Sequence, residues 1–416
     1  MAWLGIDLGT QGVRALLVTA DGRVLGGGSA PLLRGRREGT RHEQDPAEWW
    51  EAVCTASRRA LAGVRAPVRG LAVCGTSGTV LLTDAAGRPL GPALMYDDRR
   101  AAARARRLRA AGLAVQDTWA LPKARWLLDT HGPGRIAHQP DVITARLTGR
   151  RVPTDSSHAL KTAYDLTREA WPDRTGLPEG ALPDVVRPGT RLGEVCPAAA
   201  DATGIPAGTP VLAGMTDGCA AQIASGVLDT GAWNSVLGTT LVLKGVTAEP
   251  VRDPAGVVYS HRAPDGDWWP GGASSVGAGA LTARFRGADP AALDARAAAY
   301  EPSTAVAYPL VSPGERFPFH APRATALLLG DPRSDADLWA ALLQGVAFAE
   351  RLCLDYLDHL GAPVDGPLTF TGGAHPAPAG AAGRPPGEGE GAVDGGAPVG
   401  EGGQAEASGA GHAPGQ

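Results

Sequence analysis

The sequence predicts an α/β protein built from two domains in series. From residue 1 to about residue 228, strand-like and helix-like segments alternate, which is the pattern of an α/β sheet. A second unit begins at residue 229 and opens, like the N-terminus, with a strand, a Gly-Thr turn and a strand. This echo is a weak internal repeat. The length of 416 residues fits two domains, since a domain commonly holds about 100–200 residues.

The first strand ends in an acidic residue and a glycine-rich turn, DLGTQG at residues 7–12. Two apolar runs joined by an Asp-Gly turn follow, which predicts a β-hairpin. Asp7 can hold a hydrated divalent metal, and the glycines let a phosphate approach backbone N–H groups. The pattern predicts a nucleotide-phosphate hairpin, with an ordinary hairpin as the alternative. Its candidate phosphate ligands are Gly9, Thr10, Gln11 and Gly12.

Composition excludes several classes of protein. A net charge of -4 gives no electrostatic reason to expect nucleic acid or an anionic membrane as partner. No apolar run is long enough for a transmembrane helix, and the N-terminus shows no signal peptide. The five cysteines lack metal-ligand spacing, so we expect a cytoplasmic protein. None of the three lysines (Lys123, Lys161 and Lys244) follows a P-loop pattern, which excludes a P-loop NTPase.

Local signals place the main elements. Asp45 and Pro46 predict the start of a helix, and residues 99–111 form a basic, Ala-rich helix that we interpret as a solvated face. In the second unit, residues 338–360 carry apolar residues at helical spacing, and residues 367–373 are a strand that enters a glycine turn.

The composition changes after residue 374. Residues 375–416 are about two-thirds Gly, Ala and Pro and contain no Leu, Ile, Phe, Tyr or Trp, so we expect them to be disordered. A frameshifted or truncated reading of a GC-rich gene would also give this composition. The predicted units are therefore residues 1–228, residues 229–374 and the tail 375–416.

Taken in order, the motifs resemble those of the FGGY carbohydrate kinases, which have the actin-like ATPase (ribonuclease H-like) fold. The resemblance spans nearly all of residues 3–374 and implies an active site in the interdomain cleft. It also implies an incomplete C-terminal nucleotide-binding domain, because residues 375–416 replace the family's continuation. Its pieces are DLGTQG at 7–12, EQDP at 43–46, GTSGT at 75–79, MYDDR at 95–99, PK at 122–123, TDSS at 154–157, GMTDG at 214–218, GTT at 238–240 and GERFP at 314–318.

Within this family, three segments resemble the D-ribulose kinase (ribulokinase-like) branch. GTS at 75–77 stands where xylulose kinases carry a Gln-Met-His-Gly loop, and the others are LGTTLVLK at 237–244 and VYSHR at 258–262 followed by GGAS at 271–274. The resemblance implies transfer of phosphate from Mg-ATP to a ketopentose, D-ribulose foremost. Alternatives are a kinase for D-xylulose, L-ribulose or a polyol, or a catalytically impaired sugar- or nucleotide-binding protein.

The resemblance also implies residue roles. Asp217 matches the catalytic base, where a helix N-terminus would favour its ionised form, although a plain helix cap is the alternative. Asp7 is the metal ligand and second catalytic carboxylate. The remaining expected contacts are Gly238, Thr239 and Thr240 to phosphate, Gly372 and Gly373 to adenosine, and Arg14, Ser77 and Asp98 to the sugar, with His158 and Lys161 as weaker candidates. His261 is interpreted as structural. The oligomeric state is left open, with a homodimer as one alternative.

Overall fold

The structure is a computed structural model that describes residues 1–372. Its N-terminal part, up to residue 224, contains thirteen strands and seven α-helices. The strands are β1 (Ala2–Leu8), β2 (Gly12–Thr19), β3 (Val24–Pro31), β4 (Arg36–Glu38), β5 (Arg41–Gln44), β6 (Val68–Gly75), β7 (Val80–Thr83), β8 (Ala93–Leu94), β9 (Arg135–His138), β10 (Thr154–Asp155), β11 (Val185–Val186), β12 (Arg191–Glu194) and β13 (Pro210–Leu212). The helices are α1 (Pro46–Leu61), α2 (Ala102–Ala110), α3 (Ala120–His131), α4 (Gln139–Thr148), α5 (Ser156–Ala159), α6 (Pro197–Thr203) and α7 (Asp217–Ala224).

From residue 225 to residue 372, seven further strands and three helices are described. They are β14 (Trp233–Leu237), β15 (Leu241–Gly245), β16 (Tyr259–Arg262), β17 (Trp268–Ala273), α8 (Gly279–Arg284), α9 (Pro290–Ala297), β18 (Val306–Tyr308), β19 (Leu327–Leu329), α10 (Asp335–His359) and β20 (Leu368–Thr371). No helix in residues 1–372 combines the length and apolar character needed to cross a membrane.

The predicted hairpin lies at the centre of a six-stranded sheet of order β12-β13-β6-β1-β2-β3. The strands β1, β2 and β3 form an antiparallel meander, and β6 returns parallel to β1 after α1. The inward residues of β1 and β2 alternate along the strands, as Leu4, Ile6 and Leu17 do, and pack against Trp49 and Val53 of α1. Asp45 caps α1 as predicted, since its Oδ1 accepts from the backbone N of Ala47 at 2.9 Å.

A second sheet of order β4-β5-β8-β7-β9 extends the N-terminal part. It is antiparallel throughout, and β7 pairs with β9 from Val80 to Thr83. The basic segment forms α2, which buries Ala105 and Leu108 and leaves its arginines outward, as the sequence indicates. The strand β8 of this sheet directly precedes the MYDDR segment at residues 95–99.

The C-terminal part repeats the topology of the first sheet. Its five-stranded sheet has the order β16-β17-β15-β14-β20; β14, β15 and β17 pair antiparallel, and β20 returns parallel to β14 after α10. This is the arrangement of β1, β2, β3 and β6, so the structure bears out the echo seen in the sequence. The helix α10 buries Val346, Ala349 and Cys353 and supports the sheet from one side.

Candidate functional site

The turn between β1 and β2 is held in place by hydrogen bonds within the turn and from Gln44. The backbone N of Gly9 donates to the carbonyl of Gly12 at 3.0 Å, which closes the turn. Gln44, which is buried, donates from Nε2 to the carbonyl of Thr10 at 2.7 Å and accepts from Trp49 Nε1 at 2.8 Å. The EQDP segment thus fixes the turn, and the side chain of Gln11 stays exposed.

Gly9 and Gly12 are glycines for different reasons. A Cβ on Gly12 would lie 2.8 Å from the carbonyl oxygen of Ala30, so Gly12 is required by the packing of β2 on β3. A Cβ on Gly9 would meet nothing closer than 3.4 Å, so the fold itself leaves space there. The space at Gly9 suits the approach of a phosphate to the backbone.

The second Gly-Thr turn, residues 238–240, joins β14 to β15 in the equivalent position. The carbonyls of Gly238 and Thr239 accept from the backbone N of Ala278 and Gly279, both at 3.1 Å. Gly277 is forced by this contact, because its Cβ would lie 2.4 Å from the Thr239 carbonyl oxygen. Thr239 is exposed and Thr240 is half-buried. The glycine-rich segment after β17 therefore serves as the support of this turn.

Asp7 and Asp217 meet at the end of β1. Asp7 is half-exposed at the strand end, and Asp217 is exposed in the first turn of α7, just after β13. Burial and the neighbouring charge of Asp217 raise the pKa of Asp7, and Arg14 partly offsets them. Two carboxylates that repel each other in this way can bind a cation, or one of them can accept a proton.

This donor set fits Mg²⁺ carried by a nucleotide. Among residues 1–372 no group of three or more His, Cys, Asp or Glu side chains could hold a metal ion on its own. Mg²⁺ in phosphate-transfer sites is held by one or two carboxylates together with water and phosphate oxygens. Asp7 supplies such a carboxylate beside the first Gly-Thr turn.

The region around Asp7, Asp217 and the adjacent ends of β1 and β6 is called the cleft below, and two of the predicted sugar contacts border it. Arg14 is exposed on β2, with Nη1 lying 3.7 Å from Asp7 Oδ2. Ser77 follows β6, and its Oγ is buried with no hydrogen-bond partner among the described residues. The loop of Ser77 is held by Gln139, whose Oε1 accepts from the backbone N of Thr76 at 2.8 Å, and by Lys161, whose Nζ lies 3.4 Å from the Ser77 carbonyl.

Asp98 is the third predicted sugar contact, and the structure places it inside the protein. Its side chain is fully buried and accepts from the backbone N of His42 at 2.8 Å and from Arg100 Nη2 at 2.7 Å. Arg100 in turn donates from Nη1 to Glu43 at 2.6 Å. These hydrogen bonds hold the MYDDR segment in place, and contact of Asp98 with a sugar stays a prediction.

The adenosine prediction is only half described. Gly372 ends β20 with φ +114, and its Cβ would lie 2.3 Å from the carbonyl oxygen of Leu237, so the fold requires glycine there. Gly373 and the predicted tail 375–416 lie outside the described residues. Contact of these glycines with adenosine stays a prediction.

Sequence reasoning missed a group of buried polar side chains on β15 and β16. Lys244 Nζ lies 3.1 Å from His261 Nδ1, and both residues are buried. His261 was expected to be structural, but its Nε2 is buried without a partner within residues 1–372, as is Nε1 of Trp119. The scarcity of lysine was the one signal that singled out Lys244.

His158 faces the same region from the N-terminal part. Its Nδ1 lies 2.6 Å from Asp155 Oδ2 and its Nε2 is buried without a partner among the described residues. Burial lowers the pKa of His158, but Asp155 outweighs it and the pKa is raised, with Asp217 adding to the rise. The positively charged form of His158 is therefore favoured by Asp155 and, more weakly, by Asp217.

This fold and this cleft define a two-domain kinase with the actin-like ATPase architecture. Family models give the same answer: the N-terminal domain of the FGGY family of carbohydrate kinases matches residues 2–224, and its C-terminal domain matches residues 233–379. The chain belongs to the FGGY family of carbohydrate kinases and is a sugar kinase.

Individual relatives are similar over most of their length. The xylulose kinase of Streptomyces coelicolor is 31% identical over 399 residues, which cover 89% of this chain and 79% of that protein. The glycerol kinase of Gloeobacter violaceus is 29% identical over 397 residues, 88% of this chain and 79% of that protein. The solved xylulose kinase of Rhodospirillum rubrum is 27% identical with a TM-score of 0.79, covering 89% of this chain and 81% of that one. These relatives support a kinase for a pentose or polyol and do not single out D-ribulose.

Proposed function

We propose that this protein transfers the γ-phosphoryl group of ATP to a hydroxyl of D-ribulose, giving D-ribulose 5-phosphate and ADP. The observation that carries the kinase chemistry is the meeting of Asp7 and Asp217 beside the first Gly-Thr turn. The choice of D-ribulose is supported by the GTS loop at 75–77 and by the segments around Lys244 and His261, which resemble the ribulokinase-like branch.

Asp217 is the proposed general base. The sugar hydroxyl loses its proton to the Asp217 carboxylate while its oxygen forms a bond to the γ-phosphorus, and the bond from that phosphorus to the oxygen of ADP breaks. The position of Asp217 in the first turn of α7 favours a negative charge there. Its exposure in the open cleft leaves room for the acceptor.

The two Gly-Thr turns are the proposed phosphate cradle. The first offers the backbone at Gly9 and the side chains of Thr10 and Gln11, and the second offers Gly238, Thr239 and Thr240 from the other part of the chain. Mg²⁺ bound by Asp7 would neutralise charge on the phosphates. Closure of the two parts over ATP would exclude water and limit hydrolysis of the nucleotide.

Arg14 and Ser77 are the proposed sugar contacts, with His158 and Lys161 close by. Ser77 Oγ and His158 Nε2 have no partner among the described residues, and unpaired buried polar atoms in a cleft are suited to the hydroxyls of a small substrate. The five cysteines are free in the structure. Free cysteines fit a reducing compartment, and we propose the cytoplasm as the location of the protein.

A coupled assay of ADP release over D-ribulose, D-xylulose, L-ribulose, ribitol and glycerol tests the function. We expect D-ribulose to give the highest kcat/KM. D-xylulose is the second candidate, because xylulose kinases are among the relatives. No turnover of any of these sugars would refute the kinase proposal, and nucleotide binding without turnover would favour the binding-protein alternative.

The Asp217→Ala variant tests the assigned base. Turnover should fall by at least about a hundredfold, because a general base typically contributes about 10²–10⁴-fold. Asp201→Ala, which removes an exposed carboxylate on α6, is the matched control and should keep wild-type activity. Activity of Asp217→Ala within about tenfold of wild type would remove Asp217 from this role.

A further inference from the structure

The Lys244–His261 pair defines the hydrogen-bonding character of one wall of the cleft. Lys244 lies on β15 and His261 on β16, and they are 6% and 3% exposed. The Lys244 ammonium can only donate hydrogen bonds, so His261 Nδ1 must accept in the 3.1 Å contact between them. The hydrogen of the neutral imidazole is then on Nε2.

The surroundings keep His261 neutral. Burial lowers the pKa of His261 well below its ordinary value, and the positive charges of Lys244, Lys161 and His158 act in the same direction. The His261 Nε2–H is therefore a donor, and it has no partner within residues 1–372. A buried donor without a partner is costly unless a ligand accepts from it.

Trp119 supplies a second donor of the same kind. Its indole Nε1–H is buried and unpartnered in the described part of the chain. The Trp119 and His261 rings both meet the ring of Tyr259 edge-on, with centroid distances of 5.7 and 5.4 Å. The indole and the imidazole therefore flank one tyrosine.

This tyrosine connects the wall to the Ser77 loop. Lys161 Nζ lies 5.4 Å from the centroid of the Tyr259 ring, and the same atom is 3.4 Å from the Ser77 carbonyl. On the other side, Lys244 lies near α7, since its charge acts on Cys219 two residues after Asp217. The wall thus borders the region where the sugar, whose hydroxyl Asp217 is proposed to deprotonate, would bind.

We propose that His261, held in one tautomer by Lys244, is a specificity-determining residue that donates from Nε2 to the keto oxygen of the acceptor, with Trp119 Nε1 as a second donor on the same wall. The inference rests on the proposed function and adds how the site would distinguish a ketose from the corresponding polyol. A keto oxygen only accepts, which matches a wall of donors. A polyol hydroxyl at the same place brings its own hydrogen, which the wall leaves unpaired, and sites with this mismatch reject a substrate analogue strongly.

The Lys244→Met variant tests the tautomer directly. Without the ammonium, the hydrogen of His261 is free to move to Nδ1, and Nε2 can then accept from a hydroxyl. We expect the ratio of kcat/KM for D-ribulose over ribitol to fall by at least about tenfold, mainly through KM, because the catalytic carboxylates are untouched.

Trp119→Phe should move the same ratio in the same direction, and it carries the test if Lys244→Met does not fold. The matched control is Trp339→Phe, which also removes an indole N–H but one that donates to Asp294 at 2.7 Å in a separate core cluster. It should leave the ratio unchanged. An unchanged ratio in Lys244→Met or Trp119→Phe with wild-type melting temperature and ADP affinity would overturn the inference.

Calorimetric binding of D-ribulose and ribitol without ATP separates this inference from the proposed function. If the wild type turns over no sugar, the proposed function fails, but stronger binding of D-ribulose that weakens in Trp119→Phe would still support the wall. Equal binding of D-ribulose and ribitol by the wild type would overturn the wall whatever the turnover.

Discussion

Arg14 Nη1 lies 3.7 Å from Asp7 Oδ2, and the two residues are direct cross-strand neighbours in the β1–β2 hairpin. Both side chains are substantially exposed, so the pair contributes little to stability. Its effect is on the protonation of Asp7. Burial and the charge of Asp217 raise the pKa of Asp7, whereas the charge of Arg14 lowers it. Arg14 therefore favours the ionised form of a carboxylate at the place where Mg²⁺ and phosphate are proposed to bind.

Arg14→Met should shift the acid limb of the pH profile of kcat/KM to higher pH. The pKa of Asp7 already lies above its ordinary 3.8, and loss of the neighbouring positive charge raises it further, so protonation sets in at a higher pH. Profiles measured with saturating Mg-ATP check this. Arg23→Met, on the following turn, is the control; a limb that stays in place or moves to lower pH in Arg14→Met would contradict the assignment.

Gly238→Ala should weaken the binding of ATP without lowering the stability of the fold. The nearest atom to a Cβ at Gly238 is 3.9 Å away, so the apoprotein tolerates it, but a phosphate on the turn would not. We expect KM for ATP to rise by about tenfold or more with an unchanged melting temperature, since a displacement of about 1 Å can cost about a hundredfold in rate.

Gly277→Ala and Gly5→Ala are two controls for the Gly238→Ala variant. The first puts a Cβ 2.4 Å from the Thr239 carbonyl and should lower both stability and ATP affinity, whereas the second meets nothing within 4 Å and should change neither. If Gly238→Ala leaves KM for ATP at the wild-type value, the turn does not contact phosphate.

Asp98→Ala should act on stability. The pair with Arg100 is buried, with Asp98 0% and the Arg100 side chain 6% exposed. Removing one partner of a buried pair commonly costs about 3–5 kcal/mol. Urea unfolding measures this, and Glu194→Ala, which breaks an exposed pair with Arg191, should cost less than about 1 kcal/mol. A stable Asp98→Ala protein with a greatly raised KM for sugar would instead support Asp98 as a substrate contact.

Asp337→Asn should change the acid stability of the C-terminal part. Asp337 accepts from the backbone N of Arg333 at 2.8 Å and from Ser303 Oγ at 2.5 Å, and these bonds lower its pKa to about 2 from 3.8. Because the folded-state pKa is depressed, the carboxylate stabilises the protein above pH 3.8 and this contribution is lost as the pH falls toward 2.

Melting temperatures measured from pH 7 to pH 2 check this. Asp337→Asn should melt lower at pH 7 and show a flatter dependence between pH 4 and pH 2 than the wild type. Asp335→Asn, an exposed neighbour on α10, should follow the wild-type curve. Parallel curves for Asp337→Asn and wild type would show that the hydrogen bonds do not depend on the charge.

The sequence predicts local geometry well because turns and strand ends carry their own chemical signals. The Gly-Thr turns, the cap at Asp45 and the repeat of the two sheets could all be predicted from short patterns. The burial of Asp98 could not, because it depends on the side chain of Arg100 folding back onto it and on a backbone contact from His42 on β5. The role of Lys244 and His261 was missed for the same reason: a tautomer is set by a contact between two strands.

The three lysines of this chain all lie away from its outer surface. Lys123 is fully buried, Lys244 is 6% exposed and Lys161 is half-buried beside Ser77. The positive charge of the exterior is therefore carried by arginine, which amine-directed reagents do not modify. Of the side-chain amines in this chain, Lys161 is the one most open to acylation. Apart from the N-terminal amine, such a reagent would therefore label one residue, and occupancy of the site beside Ser77 would be read from the protection of Lys161.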